Sequence, residues 1–403
     1  MRLIKHVKAS NLLSFGHSGL DLELHDLNVL IGPNGSGKSN FLEIFELLKS
    51  LPRNEEGGND LKQVISNGGG PAEWACKSHT INGRIRNFPI ADIEVIIEDK
   101  ILLKEKFLKH KFSIDWGSID SFPLIPNEII SMTMPANSTD FFFYEKDRVD
   151  AFAGFHIWND EAKQMLPNTT ESFGLSILSK RYANFGILVL GDAYENIRLY
   201  REWSFGRNTI FRTPQSADLR NDRLESDFSN LGMFLSRLKN NPVTKRALIA
   251  ALRDLYEGLT DFEVHTHEGT VQIFFTEGDF SIPATRLSDG TLRYLCLLAL
   301  LLDPTPPPLI CIEEPELGLY PDLLPKIADL LVEASTRTQL IVTTHSDVLI
   351  DALSEQPESV LVCEKHEGQT RINRLDRDDI AHWLKDYRLG QLWMRGEIGG
   401  TRW

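Results

Sequence analysis

The sequence of 403 residues has four cysteines, and no apolar run in it approaches the roughly 20 residues that cross a bilayer. The cysteines are scattered, and three of them stand in apolar runs, which suits small core residues better than disulfides or a zinc site. The first residues alternate like a strand and lack the apolar centre of a signal peptide. We therefore expect a cytoplasmic protein with reduced thiols.

Repeats and biased segments are missing as well. There is no tandem repeat, no long low-complexity segment and no sustained heptad pattern, which argues against solenoids and long coiled coils. The formal net charge of −14 disfavours non-specific attraction to nucleic acid, although it leaves a local basic groove open. The 42% hydrophobic content is ordinary for a globular chain with two or three lobes.

One stretch carries the clearest chemistry. The apolar strand 27–31 leads into GPNGSGKS at 32–39, and an amphipathic helix follows. Glycines at these spacings let backbone N–H groups face a polyphosphate at the start of a helix, where anions are favoured. Lys38 is expected to reach the β and γ phosphates, and the Ser39 hydroxyl to hold Mg²⁺. The sequence thus predicts an ATP site made of Asn34, Gly35, Ser36, Gly37, Lys38 and Ser39.

A second dense region lies near the other end of the chain. Ser288 is a good N-cap for an almost wholly apolar helix, and Gly290 frees backbone N–H groups at its start. The buried strand 309–312 ends at Glu313 and Glu314, where ligands bind in open α/β sheets. One carboxylate can hold Mg²⁺ and the other can polarise the attacking water. The next apolar strand ends at His345, which is placed to hydrogen-bond a γ-phosphate.

The remaining chain reads as strands at 2–10 and 20–24, a small antiparallel sheet within 80–116, an irregular stretch at 117–170 and helices at 229–239, 243–257 and 321–335. Two segments combine basic and apolar residues: Lys100–Lys111 with five lysines, and Ile197–Arg223 with six arginines. Each is either a nucleic-acid surface or an ordinary solvated, ion-paired face. The aromatic run Phe141–Tyr144 is read as local core. His265 and His267 share a strand face without an evident third ligand and are read as surface residues.

Together the motifs resemble the ABC-type ATPase head shared by the RecF, SMC and OLD proteins. GPNGSGKS matches the Walker A motif, LSDGT the signature, LICIEEPE the Walker B strand with its catalytic glutamate, ELGLYP the D-loop, and VTTHS the switch histidine. The resemblance implies an α/β fold with a mostly parallel central sheet, an antiparallel β lobe and a helical or irregular insert. We divide the chain into a nucleotide-binding lobe (1–75), the β lobe and insert (76–283), a signature and Walker B lobe (284–365) and a tail (366–403).

The resemblance also implies roles for residues. Glu314 would be the catalytic base and Glu313 would take the place of the usual Walker B aspartate. In such heads the signature serine meets the ATP of a partner copy, so Ser288 and Gly290 would complete the site of a second chain. Tyr320 stands where many relatives have histidine, and Gln63 is a candidate for the Q-loop glutamine.

Missing features exclude some subfamilies of these ATPase heads. The chain has neither the long coil of SMC proteins nor the Cys-x-x-Cys of zinc-hook ATPases, and 58 residues after His345 are too few for a Toprim domain. It is most similar to the small AAA-15/AAA-21 ATPases, which are frequent in bacterial anti-phage modules and act with a separate nuclease or toxin. Trp393, Met394 and Trp403 make the tail either a docking element or a last element packed on the core.

These observations favour a self-associating ATPase that regulates a separate effector and has no membrane partner. The first alternative is a DNA repair or recombination ATPase that clamps DNA as RecF does. The second is the ATP-binding subunit of a transporter, which the long insert and the lack of an adenine-stacking aromatic residue before the Walker A motif disfavour.

Overall fold

A computed structural model of the chain describes residues 2–52, 54–55, 58–77, 88–98, 107–117, 123–134, 137–146, 155–159, 162–166, 185–203, 206, 209, 212–255 and 257–401. In chain order its strands are β1 (Ile4–Ser10), β2 (Leu20–Glu23), β3 (Leu27–Ile31), β4 (Asn54–Glu55), β5 (Gly58–Asn59), β6 (Ala91–Glu98), β7 (Phe107–Ile114), β8 (Glu128–Met134), β9 (Asn137–Lys146), β10 (Phe155–Asn159), β11 (Ala162–Leu166), β12 (Ile197–Tyr200), β13 (Gln215–Ser216), β14 (Leu259–His267), β15 (Thr270–Glu277), β16 (Phe280–Pro283), β17 (Leu309–Glu313), β18 (Gln339–Thr343), β19 (Val360–His366) and β20 (Gln369–Arg374).

The helices are α1 (Lys38–Ser50), α2 (Asp60–Asn67), α3 (Pro71–Trp74), α4 (Phe185–Glu195), α5 (Leu231–Lys239), α6 (Pro242–Leu255), α7 (Asp289–Leu301), α8 (Leu324–Ser335), α9 (Asp347–Ala352), α10 (Arg377–Ile380) and α11 (Leu389–Met394). Short 3₁₀ turns cover Ala284–Arg286, Pro321–Leu323 and Pro357–Ser359. The predicted helices at 229–239, 243–257 and 321–335 are confirmed as α5, α6 and the 3₁₀ turn that leads into α8.

The central sheet has the order β12-β17-β18-β3-β19-β20, and all of its neighbouring strands are parallel except β19 and β20. Strands β3 and β18 are buried along their whole length, as strands covered on both faces must be. Their side chains alternate between two cores, so that Leu30 packs in one core while Val29 and Ile31 pack in the other. The mostly parallel sheet predicted from the sequence is confirmed.

A second sheet is antiparallel throughout, in the order β11-β10-β9-β8-β7-β6-β1-β2. Strand β6 buries every second residue, which is the pattern of a sheet with one face on the core. Sheet membership runs across the sequence division at 75/76, because β1 pairs with β6 and β2 with β1 in this sheet, while β3 joins the parallel sheet. The four segments of the chain remain a prediction.

A buried amide links the two sheets. Gln339 on β18 is fully buried, and its Oε1 accepts hydrogen bonds from the backbone N–H groups of Leu3 and Ile4 at 3.1 and 2.8 Å. Its Nε2 donates to the carbonyls of Ile4 and His25 at 2.8 and 3.0 Å. All the polar atoms of this side chain are therefore paired, and burying it carries little desolvation cost. Among the described ranges, no helix is long and apolar enough to span a membrane.

Candidate functional site

The loop between β3 and α1 has the backbone that its glycines predict. Gly32 has φ of 146° and Gly37 has φ of 104°, values that residues with a Cβ rarely adopt. A Cβ at Gly32 would collide with the carbonyl oxygen of Cys363, and one at Gly37 with the hydroxyl of Thr370. Both glycines are therefore required by close packing against β19 and β20 as well as by the turn itself.

Lys38 opens α1 and is buried beneath the loop. Its Nζ donates to the carbonyls of Gly32 and Pro33 at 2.8 and 3.2 Å. Burial lowers the pKa of this ammonium, while Cys363 and the carboxylates of residues 314, 313 and 316 act in the opposite direction. Burial removes the water that stabilises the ammonium charge, and an anion bound in the loop would stabilise that charge instead.

The Ser39 hydroxyl donates to Oε1 of Glu313, which places the two predicted metal ligands in direct contact. The second carboxylate oxygen of Glu313 accepts a hydrogen bond from Nε of Arg201 at 2.9 Å. Arg201 also donates to Glu43 on α1 at 2.7 Å. Burial alone would lower the pKa of Arg201, but its bonds to Glu313 and Glu43 raise it above its ordinary value. The carboxylate of Glu313 thus lies between a hydroxyl and a guanidinium.

Glu314 follows the last residue of β17 and has a left-handed backbone, with φ of 47°. Its N–H donates to the carbonyl of Thr343 at 2.9 Å, which continues the pairing with β18 past the end of the strand. Its Oε1 lies 3.4 Å from Nε2 of His345. The structure therefore brings the predicted base and the predicted switch histidine together at one edge of the sheet.

A third carboxylate supports the histidine. Oε1 of Glu316 accepts the backbone N–H of His345 at 2.6 Å. Burial raises the pKa of Glu316, and its hydrogen bonds with His345 and Thr344 act in the opposite direction. Sequence reasoning missed this residue, although its place two residues after Glu314 and the length of its side chain were signals for it.

The signature segment forms the N-terminus of α7. Ser288 caps the helix, because its Oγ accepts the N–H of Thr291 at 3.1 Å, as the sequence predicts. Arg212 donates to the carbonyls of Thr285 and Leu287 at 3.0 and 2.7 Å and pairs with Asp289. Gly290 packs on the D-loop, since a Cβ there would lie 3.0 Å from the carbonyl oxygen of Gly318.

Ser288 and Gly290 are not joined to residues 32–39 by any hydrogen bond among the described residues. Ser288 is exposed, and the D-loop residues Leu317 and Tyr320 are 49% and 67% exposed. The completion of a second chain's site by Ser288 and Gly290 stays a prediction.

The ATP loop is braced by residues that the motifs do not include. The Thr370 hydroxyl on β20 donates to the carbonyl of Ser36 at 2.8 Å and lies 2.7 Å from the Ser14 hydroxyl. Asn40 donates to the same Ser14 oxygen at 2.7 Å. The two contacts of Thr370 join positions more than 300 residues apart in the chain, so nothing in the local sequence could reveal them.

The basic segments have intramolecular partners. Within 197–223, Arg201 pairs with Glu313 and Glu43, Arg212 with Asp289, and Arg220 with Asp222. These contacts favour the ion-paired reading, which the sequence left open. Residues 100–106 of the lysine-rich segment lie outside the described ranges, as do the side chains of Phe141–Tyr144. The exposed His265 lies 2.7 Å from a Glu263 carboxylate oxygen, and no cluster of three or more metal-ligating His, Cys, Asp or Glu occurs in the described part of the chain.

The tail packs on the same edge of the molecule. Trp393 is buried and its Nε1 donates to the carbonyl of Gly400 at 3.0 Å, and a Cβ at Gly400 would lie 3.6 Å from the Cα of Gly32. This is the packing expected of a last element on the core. Met394 is 62% exposed, and Trp403 lies outside the described ranges. A docking role for the tail stays a prediction.

Gln63, the candidate Q-loop residue, is exposed on α2. Its neighbours Val64 and Asn67 line a cavity of about 870 Å³ together with Glu313 and Arg201. Among the described residues no hydrogen bond ties Gln63 itself to the site, so its role stays a prediction.

The residues present fit a magnesium nucleotide. The Ser36 hydroxyl is buried in the loop without a hydrogen-bond partner among the described residues, and the Lys38 ammonium bonds to backbone carbonyls of the same loop. A polyphosphate would satisfy both groups. Ser39 and Glu313 present the oxygen ligands that Mg²⁺ prefers.

The fold of the chain is that of the ABC-type ATPase heads of SMC proteins. The fold matches the crystal structure of an SMC head bound to the C-winged helix domain of ScpA, with 16% identity, a TM-score of 0.50 and coverage of 94% of this chain and 99% of that chain. It also matches an SMC head with an extended coiled coil bound to the C-terminal domain of ScpA, from Pyrococcus furiosus, with 13% identity, a TM-score of 0.50 and coverage of 96% and 99%.

The chain belongs to the AAA-21 family, whose model matches residues 27–351 and is described as AAA domain, putative AbiEii toxin, Type IV TA system. No curated protein gives a significant match to the chain. The predicted family resemblance is thus confirmed.

Proposed function

We propose that this chain binds ATP with Mg²⁺ and hydrolyses it to ADP and phosphate. The observation that carries the proposal is the convergence of five predicted residues at the carboxyl edge of the parallel sheet, where α/β proteins bind ligands: Lys38, Ser39, Glu313, Glu314 and His345. Membership of an ATPase family supports it.

Each residue has a distinct task in this proposal. Lys38 balances phosphate charge from beneath the loop, and Ser39 and Glu313 would hold a magnesium ion, which would supply positive charge beside the β and γ phosphates. Glu314 accepts a proton from the attacking water as general base. His345, beside Glu314, donates a hydrogen bond to the transferred phosphoryl group.

The proposed active form is a head-to-head dimer around two ATP molecules. Among the described residues Ser288 makes no hydrogen bond to the ATP loop of its own chain, and the exposed Leu317 and Tyr320 present apolar surface beside the signature segment. A second copy would cover these residues and bring its own ATP to Ser288. ATP would then close the dimer because it binds the closed state more tightly, and hydrolysis would open it.

We further propose that this cycle regulates a separately encoded effector, a nuclease or toxin, in bacterial defence against phage. The family description, which names a putative AbiEii toxin of a Type IV toxin system, supports a role beside such a partner. In the first similar structure an SMC head is bound to a domain of ScpA, and by analogy this head would carry a protein partner.

Mass photometry of the Glu314→Gln protein, with and without ATP, tests the proposal, with co-purified chains identified by mass spectrometry. The proposal expects an ATP-dependent dimer or larger ring that carries a nuclease or toxin. A monomer that pairs only after duplex DNA is added would replace it with the DNA-clamping reading.

A further inference from the structure

Two side chains hold the backbone of the paired glutamates. The indole Nε1 of Trp203 donates to the carbonyl of Glu313 at 2.7 Å, and Nη2 of Arg293 donates to the carbonyl of Glu314 at 2.7 Å. The two donors also contact each other, since the guanidinium carbon of Arg293 lies 4.4 Å from the centre of a Trp203 ring. That distance is within the range of a cation–π contact. The stacked side chains of Trp203 and Arg293 thus bind the consecutive carbonyls of Glu313 and Glu314.

The backbone at this point needs such support. Glu314 has φ of 47°, a left-handed conformation that costs a residue with a Cβ about 1 kcal/mol or more and persists only where its surroundings fix it. Its N–H bonds to Thr343 on one side, and its carbonyl accepts from Arg293 and from the N–H of Leu317 at 3.2 Å on the other. The direction of the Glu314 carboxylate follows from this fixed turn.

The pair connects three parts of the chain. Arg293 lies on α7, the helix that Ser288 begins, and is 4% exposed. Trp203 follows β12, and its ring packs on the buried ring of Phe228 at a centroid distance of 5.2 Å. Burial lowers the pKa of Arg293 to about 10, so the guanidinium stays charged at neutral pH. A displacement of α7 would therefore be transmitted through Arg293 to the Glu314 backbone.

We propose that Arg293 and Trp203 are positioning residues that aim the Glu314 carboxylate and couple it to the signature helix of the same chain. The inference rests on the proposed role of Glu314 as base. When a second copy presses on Ser288, the contact is relayed along α7 to the turn at Glu314. Closure of one site then adjusts the base of the other.

The test compares steady-state ATP hydrolysis by full-length Arg293→Gln, Arg293→Lys and Trp203→Phe proteins with binding of a fluorescent ATP analogue. Arg293→Gln is expected to lower kcat about 10²-fold, as small misplacement of a catalytic group does, with KM and the analogue Kd within about threefold. Arg293→Lys should recover part of this loss, since it keeps the charge without the planar fork. Trp203→Phe keeps a ring but loses the donor, and should lower kcat about tenfold.

The double variant separates a pair from two independent residues. Because both side chains act on one turn, Trp203→Phe combined with Arg293→Gln should lose less activity than the product of the single losses. Losses that simply multiply would overturn the coupling of the two residues.

Arg237→Gln is the matched control, because Arg237 also lies over a ring, that of Phe234 at 4.6 Å, and donates to a carbonyl, that of Asn221 at 2.8 Å. Its activity should stay close to wild type. Equal losses in Arg237→Gln and Arg293→Gln, or equal changes in kcat and Kd, would overturn the positioning role of Arg293 and Trp203 and leave the proposed function standing. Wild-type turnover by Glu314→Gln would instead overturn the role of Glu314 as base, and the positioning role with it.

Discussion

His345 contacts two carboxylates, one through its ring and one through its backbone. Its imidazole Nε2 is 3.4 Å from Oε1 of Glu314, while its backbone N–H donates to Oε1 of Glu316 at 2.6 Å. Glu316 therefore fixes the backbone of the histidine, and the fixed backbone sets the distance from the imidazole to the proposed base. The three residues come from the ends of two adjacent parallel strands, β17 and β18, and form a rigid edge to the site.

Replacing Glu314 by Gln should slow ATP hydrolysis roughly 10²–10⁴-fold and leave ATP binding intact, because it removes a general base but keeps the size of the side chain. A coupled phosphate-release assay and nucleotide binding measure the two effects. Glu333→Gln is the matched control, since Glu333 is exposed on α8 and pairs with Arg337. An active Glu314→Gln protein would place the base elsewhere.

Lys38→Ala should abolish ATP binding, because the variant loses a charge-assisted phosphate contact in a buried site. Isothermal calorimetry with an ATP analogue measures the loss. Lys326→Ala, at a surface ion pair with Asp254, should bind like wild type. Micromolar affinity in the Lys38→Ala protein would contradict the assignment.

Ser288→Arg should block hydrolysis by preventing closure of two heads, while ATP binding by the single chain persists. Mixing this variant with Lys38→Ala chains should restore part of the activity, because a mixed pair contains one site with an intact loop facing an intact signature. Turnover is measured at several mixing ratios. A mixture no more active than its components would argue against shared sites.

Thr370→Val should weaken ATP binding about five- to tenfold, the effect of losing about 1–1.5 kcal/mol of hydrogen bonding that braces the loop at Ser36. The valine keeps the shape of the side chain, so the fold should persist. Thr260→Val removes a comparable hydrogen bond, to the carbonyl of Thr276, and is the control. Equal affinities of the two variants would mean that the brace does not affect the loop.

Glu316→Gln should stabilise the protein at neutral pH. Burial raises the pKa of Glu316, so the folded state binds more protons than the unfolded state just above pH 4.5, and stability falls as pH rises through that window. The glutamine keeps an acceptor for the His345 N–H without the buried charge. Thermal unfolding at pH 8 should show a higher Tm for the variant, with a smaller difference at pH 5. A difference independent of pH would mean that the charge is not the cause.

Local patterns predicted much of the molecule. The glycine spacing at 32–37, the apolar strands 27–31 and 309–312 and the Ser288 cap each depend on neighbours in sequence, and each is found as predicted. An antiparallel lobe is also found as predicted, but it extends beyond 80–116: the reading of 117–170 as irregular is wrong, because β8 to β11 lie there. The place of β1 and β2 in the same sheet was not predicted either, because strand pairing at a separation of about 90 residues leaves no local mark.

The sequence by itself determined the class of the protein, since phosphate binding, helix capping and fully buried strands require particular residues at fixed spacing. Only the tertiary structure decided which distant residues complete the site. Thr370 beside Ser36, Arg201 on Glu313 and Arg293 on Glu314 meet across separations of 334, 112 and 21 residues. Such contacts depend on how strands are ordered and helices packed. The sequence around a single arginine or threonine does not show whether its side chain is exposed to water or bonded to the backbone of the site.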